Sequence, residues 1–571
     1  MNKKELNLKW VSDVISEKEG YTYKDWKEGS IVSIDAQTGT GKTYAILNKI
    51  LEDKVEDYEE LVYICNRIEL RRAIQKDLLE KYKMEAKYFI GEEEFFDKNW
   101  IGNKRAIIDY EWLDEQKTIY NVTVMSYHEI ANSRNWRIHT DSNYHILEKY
   151  QWIVCDEVQF FLTDASFNQK TYMAYDEIFH ARDSESTLIM LSATIDEVNT
   201  LIEEYINMWK THKDLFGVNL VHEYKYSTGR DYSYVNVKYF KDIDDIANLI
   251  KNSEEKWLVF VTSDDNGREL KDNLCESRVL AEFINANEDN KEKKNLTMFS
   301  KFSCQCLIAT KCIDNGVNIK DTNVKNIVVM AYDKTTFIQE LGRLRLNIKD
   351  AHEINLYIRC CYKKTFSTML KKCEDKKELI DLFKEDISKF KARFNNDYKK
   401  LPEDIFYLNT KNEWTINKLG VVRLELDRKH YQNMVDMMKM DKFAFIKEQL
   451  SWLGLEDKFS EDNLIEGVVE EETKNDLLLF LKDSYENNAY YTKECFIKKI
   501  EAIIESDNKL RVLFNKICGN GNRSKGAKSY NKLLLDGNVN LPYAVGSEIK
   551  QKTIDGKRKK LTYWKVLSTE N

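Results

Sequence analysis

The chain has 571 residues, of which 42% are hydrophobic and 32% charged, and its formal net charge is −8 at pH 7. This length accommodates several domains of roughly 100 to 200 residues each, so we expect three domains rather than one. No uncharged apolar run approaches the roughly 18 residues of a membrane-spanning helix, and the acidic balance means that any nucleic-acid site must be a local basic surface.

The sequence argues against a secreted protein, a disulfide scaffold and a zinc enzyme. The first ten residues contain lysines but lack the apolar core and cleavage site of a secretory signal, so we expect a cytoplasmic protein. Eleven cysteines form no CxxC pair, and the cluster of Cys304, Cys306 and Cys312 lacks the spacing of a zinc knuckle. The eight histidines form no HExxH pair. Neither a disulfide scaffold nor a zinc enzyme is expected.

A phosphate-binding loop is the first motif along the chain. The β-branched run from Ile31 to Ile34 predicts a buried strand, and apolar residues between Ala45 and Leu51 predict a helix. Between them lies AQTGTGKT, residues 36–43, which fits the P-loop spacing except that alanine replaces the first glycine. A strand before the loop and a helix after it is the context that this motif requires, and it argues against a chance glycine turn.

The residue types of this loop suit a triphosphate. Gly39 and Gly41 let backbone N–H groups curl around phosphates, Lys42 neutralises the β and γ phosphates, and the hydroxyl of Thr43 can bind Mg²⁺. With Thr40 between the two glycines, these five residues are the predicted ATP contacts.

Two acidic residues follow the next predicted strand. The apolar run from Trp152 to Cys155 delivers Asp156 and Glu157 to the carboxyl end of a buried strand, where adjacent acids are costly unless they have a function. One carboxylate there can hold Mg²⁺ through water, and its neighbour can orient or deprotonate the attacking water. We therefore predict Asp156, with Thr43, at a metal site and Glu157 as a catalytic residue.

A third motif completes a recognisable series. The segment LIMLSATI, residues 188–195, is a buried strand that ends in Ser192, Ala193 and Thr194. The ordered set of AQTGTGKT, DEVQ and SAT resembles the superfamily 2 helicases, the broad DEAD/DEAH-box group. This resemblance implies an α/β fold in which two RecA-like parallel-sheet lobes in tandem hydrolyse ATP with Mg²⁺ between them and grip a nucleic-acid strand.

The resemblance also implies nucleic-acid contacts in the first lobe. In the family, the segment after the first helix touches the nucleic-acid backbone, and Arg67 occupies that place here. Ser126, within VTVMSYHEI, is the second candidate. For Arg67 with its neighbours Arg71 and Arg72, the alternative is a solvated helix face.

The motifs of a second lobe follow in order. A strand, polar loop and helix start at residues 256–270 resemble its opening, and residues 306–321 resemble motif V. By this resemblance Thr310 faces the nucleic-acid backbone, whereas Gly316 and Asn318 face ATP. TTFIQELGRLRL, residues 335–346, resembles motif VI.

The resemblance to motif VI implies residues that reach the nucleotide from the second lobe. The resemblance places Gln339 and Arg343 there, and Arg345 is a second candidate because the family's later arginine position holds Leu346. An arginine that reaches the γ-phosphate from the opposite lobe stabilises the charge that develops during transfer.

Two other positions depart from the family pattern. Gln159 stands where the family usually carries His or Asp, which leaves open its contact with SAT and the coupling of hydrolysis to movement. No adenine-reading Q motif is evident upstream, although Trp26 or Tyr23 could stack on the base.

The C-terminal part is predicted to be helical and then basic. From Lys509 onward about fourteen Lys and Arg face four Asp and Glu. A helix followed by two strands around an Asp555-Gly556 turn suggests a winged-helix-like module, in which Lys557, Arg558, Lys559 and Lys560 contact phosphates. The alternative is a solvated lysine-rich hairpin. We expect the following domains: lobe 1 at 1–220, lobe 2 at 221–395, a helical accessory domain at 396–508 and the basic module at 509–571.

The sequence thus leads to two hypotheses on function. The first is a helicase or translocase driven by ATP that acts on a nucleic-acid strand, with DNA favoured over RNA because the motifs look closer to DExH translocases. The second is a clamp or switch gated by ATP that binds nucleic acid or a protein without unwinding. We expect no membrane association, and protein partners could bind through the C-terminal region.

Overall fold

The computed structural model divides into two compact units, Met1–Leu464 and Ile465–Asn571. Each unit is described by itself. The described residues are 3–17, 21–66, 68–90, 106–140, 142, 144–166, 168, 170–180, 186–216, 222–285, 290–310, 318–394, 401–409, 413–465, 471–506, 508–518, 526–536, 539–554 and 557–569.

The strands of the described residues are numbered in chain order. They are β1 Lys3–Lys4, β2 Ile31–Asp35, β3 Leu61–Cys65, β4 Tyr88–Ile90, β5 Ala106–Ile108, β6 Thr118–Ile119, β7 Val122–Ser126, β8 Trp152–Asp156, β9 Thr187–Ser192, β10 Glu223–Ser227, β11 Val235–Phe240, β12 Lys256–Phe260, β13 Ala281–Ile284, β14 Cys306–Ala309, β15 Val324–Val329, β16 Ala351–His352, β17 Ile354–Arg359, β18 Phe406–Leu408, β19 Trp414–Ile416, β20 Tyr543–Ile554 and β21 Lys557–Ser568.

A π-helical turn at Ile46–Ile50 joins the first two helices that follow the P-loop. The α-helices of the described residues are numbered in chain order, as the strands are. They are α1 Val11–Glu17, α2 Lys42–Ala45, α3 Leu51–Asp53, α4 Ile68–Lys81, α5 Tyr110–Glu115, α6 Tyr127–Thr140, α7 Phe160–Thr163, α8 Thr171–His180, α9 Asn199–Phe216, α10 Ile243–Lys251, α11 Asp264–Glu276, α12 Lys291–Phe299, α13 Lys334–Leu341, α14 Lys363–Glu385, α15 Ile387–Arg393, α16 Lys418–Met437, α17 Ala444–Leu453, α18 Glu471–Glu486, α19 Lys493–Ser506, α20 Asn508–Cys518 and α21 Ala527–Leu534.

The first lobe is a seven-stranded sheet of order β10-β2-β9-β8-β3-β7-β6, parallel except for β6. Its central strands are mostly apolar because both faces are covered: Val32 and Ile34 of β2 join one buried cluster, whereas Ile31 joins the other. Strands β2, β9 and β8 are adjacent in the sheet and parallel, so their carboxyl ends lie side by side. This brings the P-loop, SAT and the two acids to one edge.

The second lobe is a six-stranded parallel sheet of order β11-β17-β15-β12-β14-β13. Its first strand begins at Val235, whereas Glu223–Ser227 still pairs with β2 of the first lobe. In the structure the change from one sheet to the other therefore falls after residue 227, beyond the expected boundary at 220. The prediction of two RecA-like lobes in tandem is confirmed.

Helices that follow the second lobe belong to the same unit as both lobes. Met434 and Phe445 of α16 and α17 are buried in the core of the second lobe, and Leu419 of α16 lies in a cluster of the first. These apolar faces find their partners on the lobes, so the compact unit extends to Leu464 and includes part of the expected accessory region 396–508.

The second unit has a core of its own. Helices α18 to α21 and the antiparallel hairpin of β20 and β21 bury Leu481, Phe496, Tyr530 and Trp564 together. The hairpin was predicted from sequence; its turn residues, 555 and 556, lie outside the described residues, and the winged-helix identity stays a prediction. None of the helices described is long and apolar enough to cross a membrane.

Candidate active site between the two lobes

The P-loop has the backbone conformation that its glycines allow. Gly39 and Gly41 have φ values of +88° and +81°, in the left-handed region that favours glycine. Gly41 caps α2, so Lys42 and Thr43 form the first turn of a helix that follows a buried strand. Backbone N–H groups at such a helix start are oriented toward an anion.

Thr40 holds the loop together from inside. Its side chain is fully buried, and its hydroxyl donates to the carbonyl of Gln37 at 2.7 Å. The Thr40 carbonyl accepts the backbone N–H of Val11 at 3.0 Å, and a Cβ at Gly41 would lie 3.3 Å from the Trp10 ring. The N-terminal segment thus packs directly on the loop, a contact that the sequence did not indicate.

The two acids of β8 differ in environment. Asp156 is 2% exposed, and burial raises the pKa of its carboxyl, although the nearby Lys42 ammonium opposes this. For Glu157, burial also favours the neutral form, but the Lys42 ammonium at 2.9 Å prevails and lowers the pKa of that carboxyl. Glu157 also has φ +53°, a strained conformation for a residue other than glycine and one that clusters at functional sites.

Gln159 connects the second and third motifs. Its Nε2 donates to the Glu157 carboxylate, and its Oε1 accepts the Ser192 hydroxyl at 2.5 Å. The hydroxyl oxygen of Ser192 in turn accepts the N–H of Thr194 at 2.9 Å. The contact with SAT that this substitution left open is therefore present: the amide oxygen of Gln159 makes it, while the amide nitrogen binds Glu157.

Residues from both lobes line the same cleft. They are Lys42, Thr43, Asn66, Leu70, Asp156, Glu157, Gln159, Phe160 and Thr163 from the first lobe, and Asn318, Gln339, Arg343 and Arg345 from the second. Arg345 donates through Nε to the Asn318 side-chain oxygen at 2.7 Å. Burial and the neighbouring Arg343 lower the pKa of Arg345 to about 10, which still leaves it charged at neutral pH.

The lobes touch at the P-loop itself. A Cβ at Gly342, in motif VI, would lie 2.5 Å from the hydroxyl oxygen of Thr38, so only glycine allows this approach. At the opposite end of α13 from Gly342, Lys334 forms an ion pair with Asp196, which also binds Arg230 at 3.3 Å. Arg230 lies between the two sheets in sequence and also pairs with Asp35 at the end of β2.

Some of the predicted site residues do not line the cleft, and others lie outside the described residues. Arg67 and Gly316 lie outside the described residues. Ser126 and Thr310 stand at the carboxyl ends of β7 and β14, and the Ser126 hydroxyl donates to Glu129 at 3.0 Å, in the first turn of α6. Lys560 is exposed on β21, which also carries Lys557, Arg558 and Lys559.

Two sequence interpretations need correction. Trp26 and Tyr23 are each 4% exposed and hydrogen-bonded to Tyr226 and Asp53, so neither ring is available to stack on a base. Arg71 and Arg72 do not form a solvated face either, because both donate to the Asp114 carboxylate, at 3.1 Å and 2.6 Å.

Comparisons with known proteins agree with this geometry. The family model for DEAD/DEAH box helicases matches residues 20–201, and that for the helicase conserved C-terminal domain matches residues 241–346; together they span about half of the chain. The chain belongs to the superfamily 2 helicases. As a member it is a nucleic-acid-dependent ATPase, a helicase that uses ATP, and the two matched regions coincide with the two lobes.

Solved helicase structures match this chain at low identity and with TM-scores of 0.40 or less. S. cerevisiae Dbp5 bound to RNA and ADP BeF3 is 15% identical with a TM-score of 0.40, and the match covers 64% of this chain and 83% of that one. Mycobacterium smegmatis helicase Lhr bound to ssDNA and AMP-PNP is 13% identical with a TM-score of 0.38, and the match covers 63% of this chain and 46% of that one. Escherichia coli DEAH/RHA helicase HrpB is 14% identical with a TM-score of 0.36, and the match covers 59% of this chain and 41% of that one. A search of curated protein sequences gives no match. The family assignment rests on the two family models.

Proposed function

We propose that one ATP binds in the cleft between the lobes and that its hydrolysis drives movement on a single nucleic-acid strand, with DNA preferred over RNA. The observation that carries this proposal is the lining of one cleft by the P-loop lysine and by the arginines of motif VI. In this proposal Gly39, Thr40 and Gly41 present backbone groups to the phosphates, and Lys42 leaves Glu157 to neutralise them.

The residues present also suit Mg²⁺. Hard oxygen ligands are what this ion prefers, and Thr43 and Asp156 supply a hydroxyl and a carboxylate in the same cleft. The side-chain oxygen of Asn66, which lines the cleft as well, is buried without a hydrogen-bond partner. When bound, the ion would neutralise charge on the phosphates, with Thr43 and Asp156 as its holders.

Each catalytic residue then has a distinct task. Before ATP binds, the Lys42 ammonium keeps the Glu157 carboxylate ionised. Once Lys42 has turned to the phosphates, that carboxylate is set to accept a proton from the attacking water or to orient it. Arg343, 8% exposed, reaches the cleft from the second lobe and stabilises charge on the transferred phosphoryl group. Gln339 and the pair of Asn318 with Arg345 complete the second lobe's side of the site. Because both lobes contribute, hydrolysis and lobe movement are coupled.

The strand path is proposed along the carboxyl edges of both sheets. Ser126 and Thr310 stand at the ends of β7 and β14, and Arg67 follows β3 in sequence. A second contact is proposed at the basic hairpin, where residues 557–560 would bind phosphates independently of base sequence.

ATPase rates with single-stranded DNA, duplex DNA and RNA test the proposal, with Glu157→Gln as the control. We expect single-stranded DNA to stimulate hydrolysis most and the variant to lose stimulated turnover while retaining ATP binding. Stimulation by RNA alone would reverse the DNA preference. A strand-displacement assay on substrates with either overhang separates the motor from the switch: hydrolysis without displacement on any of them would favour the switch.

A further inference from the structure

Tyr63 places a hydroxyl group inside an otherwise apolar strand. The residues of β3 are LVYIC, and all five are buried. Tyr63 itself is 0% exposed. A buried hydroxyl without a partner is destabilising, so its surroundings must satisfy it. β3 lies next to β8 in the sheet, with Tyr63 opposite Val154, and this register brings the phenol to the end of β8.

The partners of this hydroxyl are the two proposed metal-binding residues. Tyr63 Oη is 2.7 Å from Oδ2 of Asp156 and 3.4 Å from Oγ1 of Thr43. The other oxygen of Asp156, Oδ1, accepts the N–H of Glu157 at 2.9 Å. Both carboxylate oxygens therefore have a fixed donor, and the plane of the carboxylate is set.

The directions of the protons follow from counting donors. An ionised carboxylate only accepts, so the single proton of Tyr63 points to Asp156. The phenol oxygen can then only accept from Thr43, whose own proton is turned toward Tyr63. This leaves a lone pair of the Thr43 hydroxyl free to face a cation. Burial and the nearby Asp156 charge raise the pKa of Tyr63 well above its usual range, so the phenol keeps its proton.

We propose that Tyr63 is a positioning residue for the divalent cation that accompanies ATP, because it orients the Thr43 hydroxyl and the Asp156 carboxylate at the same time. This inference rests on the proposed metal site at those two residues. Partners that orient metal ligands in this way typically contribute roughly 10- to 100-fold to metal affinity.

The test compares Tyr63→Phe with Tyr127→Phe. Tyr127 is also 0% exposed, and its hydroxyl donates to the backbone carbonyl of Asp156 at 3.0 Å, so this control removes a similar hydroxyl near the same residue without touching the carboxylate. The measurement is the dissociation constant of Mn²⁺, from the free-ion EPR signal, with a non-hydrolysable ATP analogue bound. Thermal unfolding shows that each variant is folded, and Tyr63→Leu provides a second removal of the same hydroxyl.

We expect the Mn²⁺ dissociation constant to rise roughly tenfold or more in both Tyr63 variants and to change less than twofold in Tyr127→Phe. Binding of the nucleotide analogue without metal should be the same in all four proteins. Equal Mn²⁺ affinity in wild type and Tyr63→Phe would overturn the role of Tyr63. Failure of the wild type itself to bind Mn²⁺ with the analogue would instead refute the proposed metal site.

Discussion

The contact between Gly342 and Thr38 gives a prediction about lobe closure. The change is Gly342→Ala, which adds one methyl group where motif VI meets the P-loop. The new Cβ would lie 2.5 Å from Oγ1, 2.8 Å from Cγ2 and 3.0 Å from Cβ of Thr38. All three atoms belong to the β-branched side chain of Thr38, whose Cβ is bonded directly to the backbone, so the lobes must separate slightly to relieve the overlap.

Overpacking of this kind typically costs about 1 to 3 kcal/mol, which corresponds to a reduction of roughly 5- to 150-fold in the closed population. Because the cleft needs residues of both lobes, kcat/KM for ATP should fall by the same factor, while ATP binding to the P-loop alone should change little. The assay is steady-state ATP hydrolysis at saturating nucleic acid, together with the affinity for ATP.

A double-mutant cycle with Thr38→Gly provides the control. This second change removes all three contacting atoms, so Gly342→Ala should cost little when it is introduced into the Thr38→Gly protein. An equal cost of Gly342→Ala in both backgrounds, or no cost in either, would refute the idea that the two residues meet when the lobes close.

Three further predictions concern other parts of the chain. Gln159→Ala leaves the buried Ser192 hydroxyl without its acceptor, so strand displacement per ATP hydrolysed should fall more than the ATPase rate; equal reductions would contradict a coupling role. Replacing residues 557–560 with glutamine should weaken binding to all sequences and reduce the slope of log affinity against log salt by roughly 0.7 to 0.9 for each phosphate that is no longer neutralised, whereas an unchanged slope would exclude phosphate binding there. Glu177→Gln should lower the free energy of unfolding by about 3 kcal/mol, because Glu177 is 1% exposed and faces two arginines and a histidine. Glu60→Gln is its control: that carboxylate pairs at the surface, where about 0 to 1 kcal/mol is expected, and a similar destabilisation in both variants would contradict the buried network.

The parts of the site that the sequence predicted are those fixed by local chain geometry. Gly39, Gly41 and Lys42 belong to one loop, and Asp156 with Glu157 ends one strand, so their residue types and order were sufficient. The family resemblance implied that these residues share one cleft with motif VI. The structure places the arginines of motif VI in that cleft.

The interactions that the sequence did not predict depend on strand order and on packing. Tyr63 reads as one more apolar strand residue, and only the neighbouring position of β8 reveals its partner. Gln159 reads as a departure from the family pattern, although its amide connects two motifs. Trp26 was a candidate for base stacking because an exposed and a buried aromatic residue look alike in sequence. The sequence also did not indicate that the compact unit continues to Leu464, which it does because the apolar faces of α16 and α17 pack on the lobes.

Lys42 and Arg343 are proposed to act on the same triphosphate. Single-turnover hydrolysis by Arg343→Ala, measured with ATP bound and nucleic acid saturating, tests this directly. The hydrolysis rate should fall by roughly 10³- to 10⁵-fold while the affinity for ATP stays within a few-fold of wild type. A rate close to that of the wild type would mean that the second lobe's arginine does not reach the γ-phosphate, and hydrolysis would then belong to the first lobe alone.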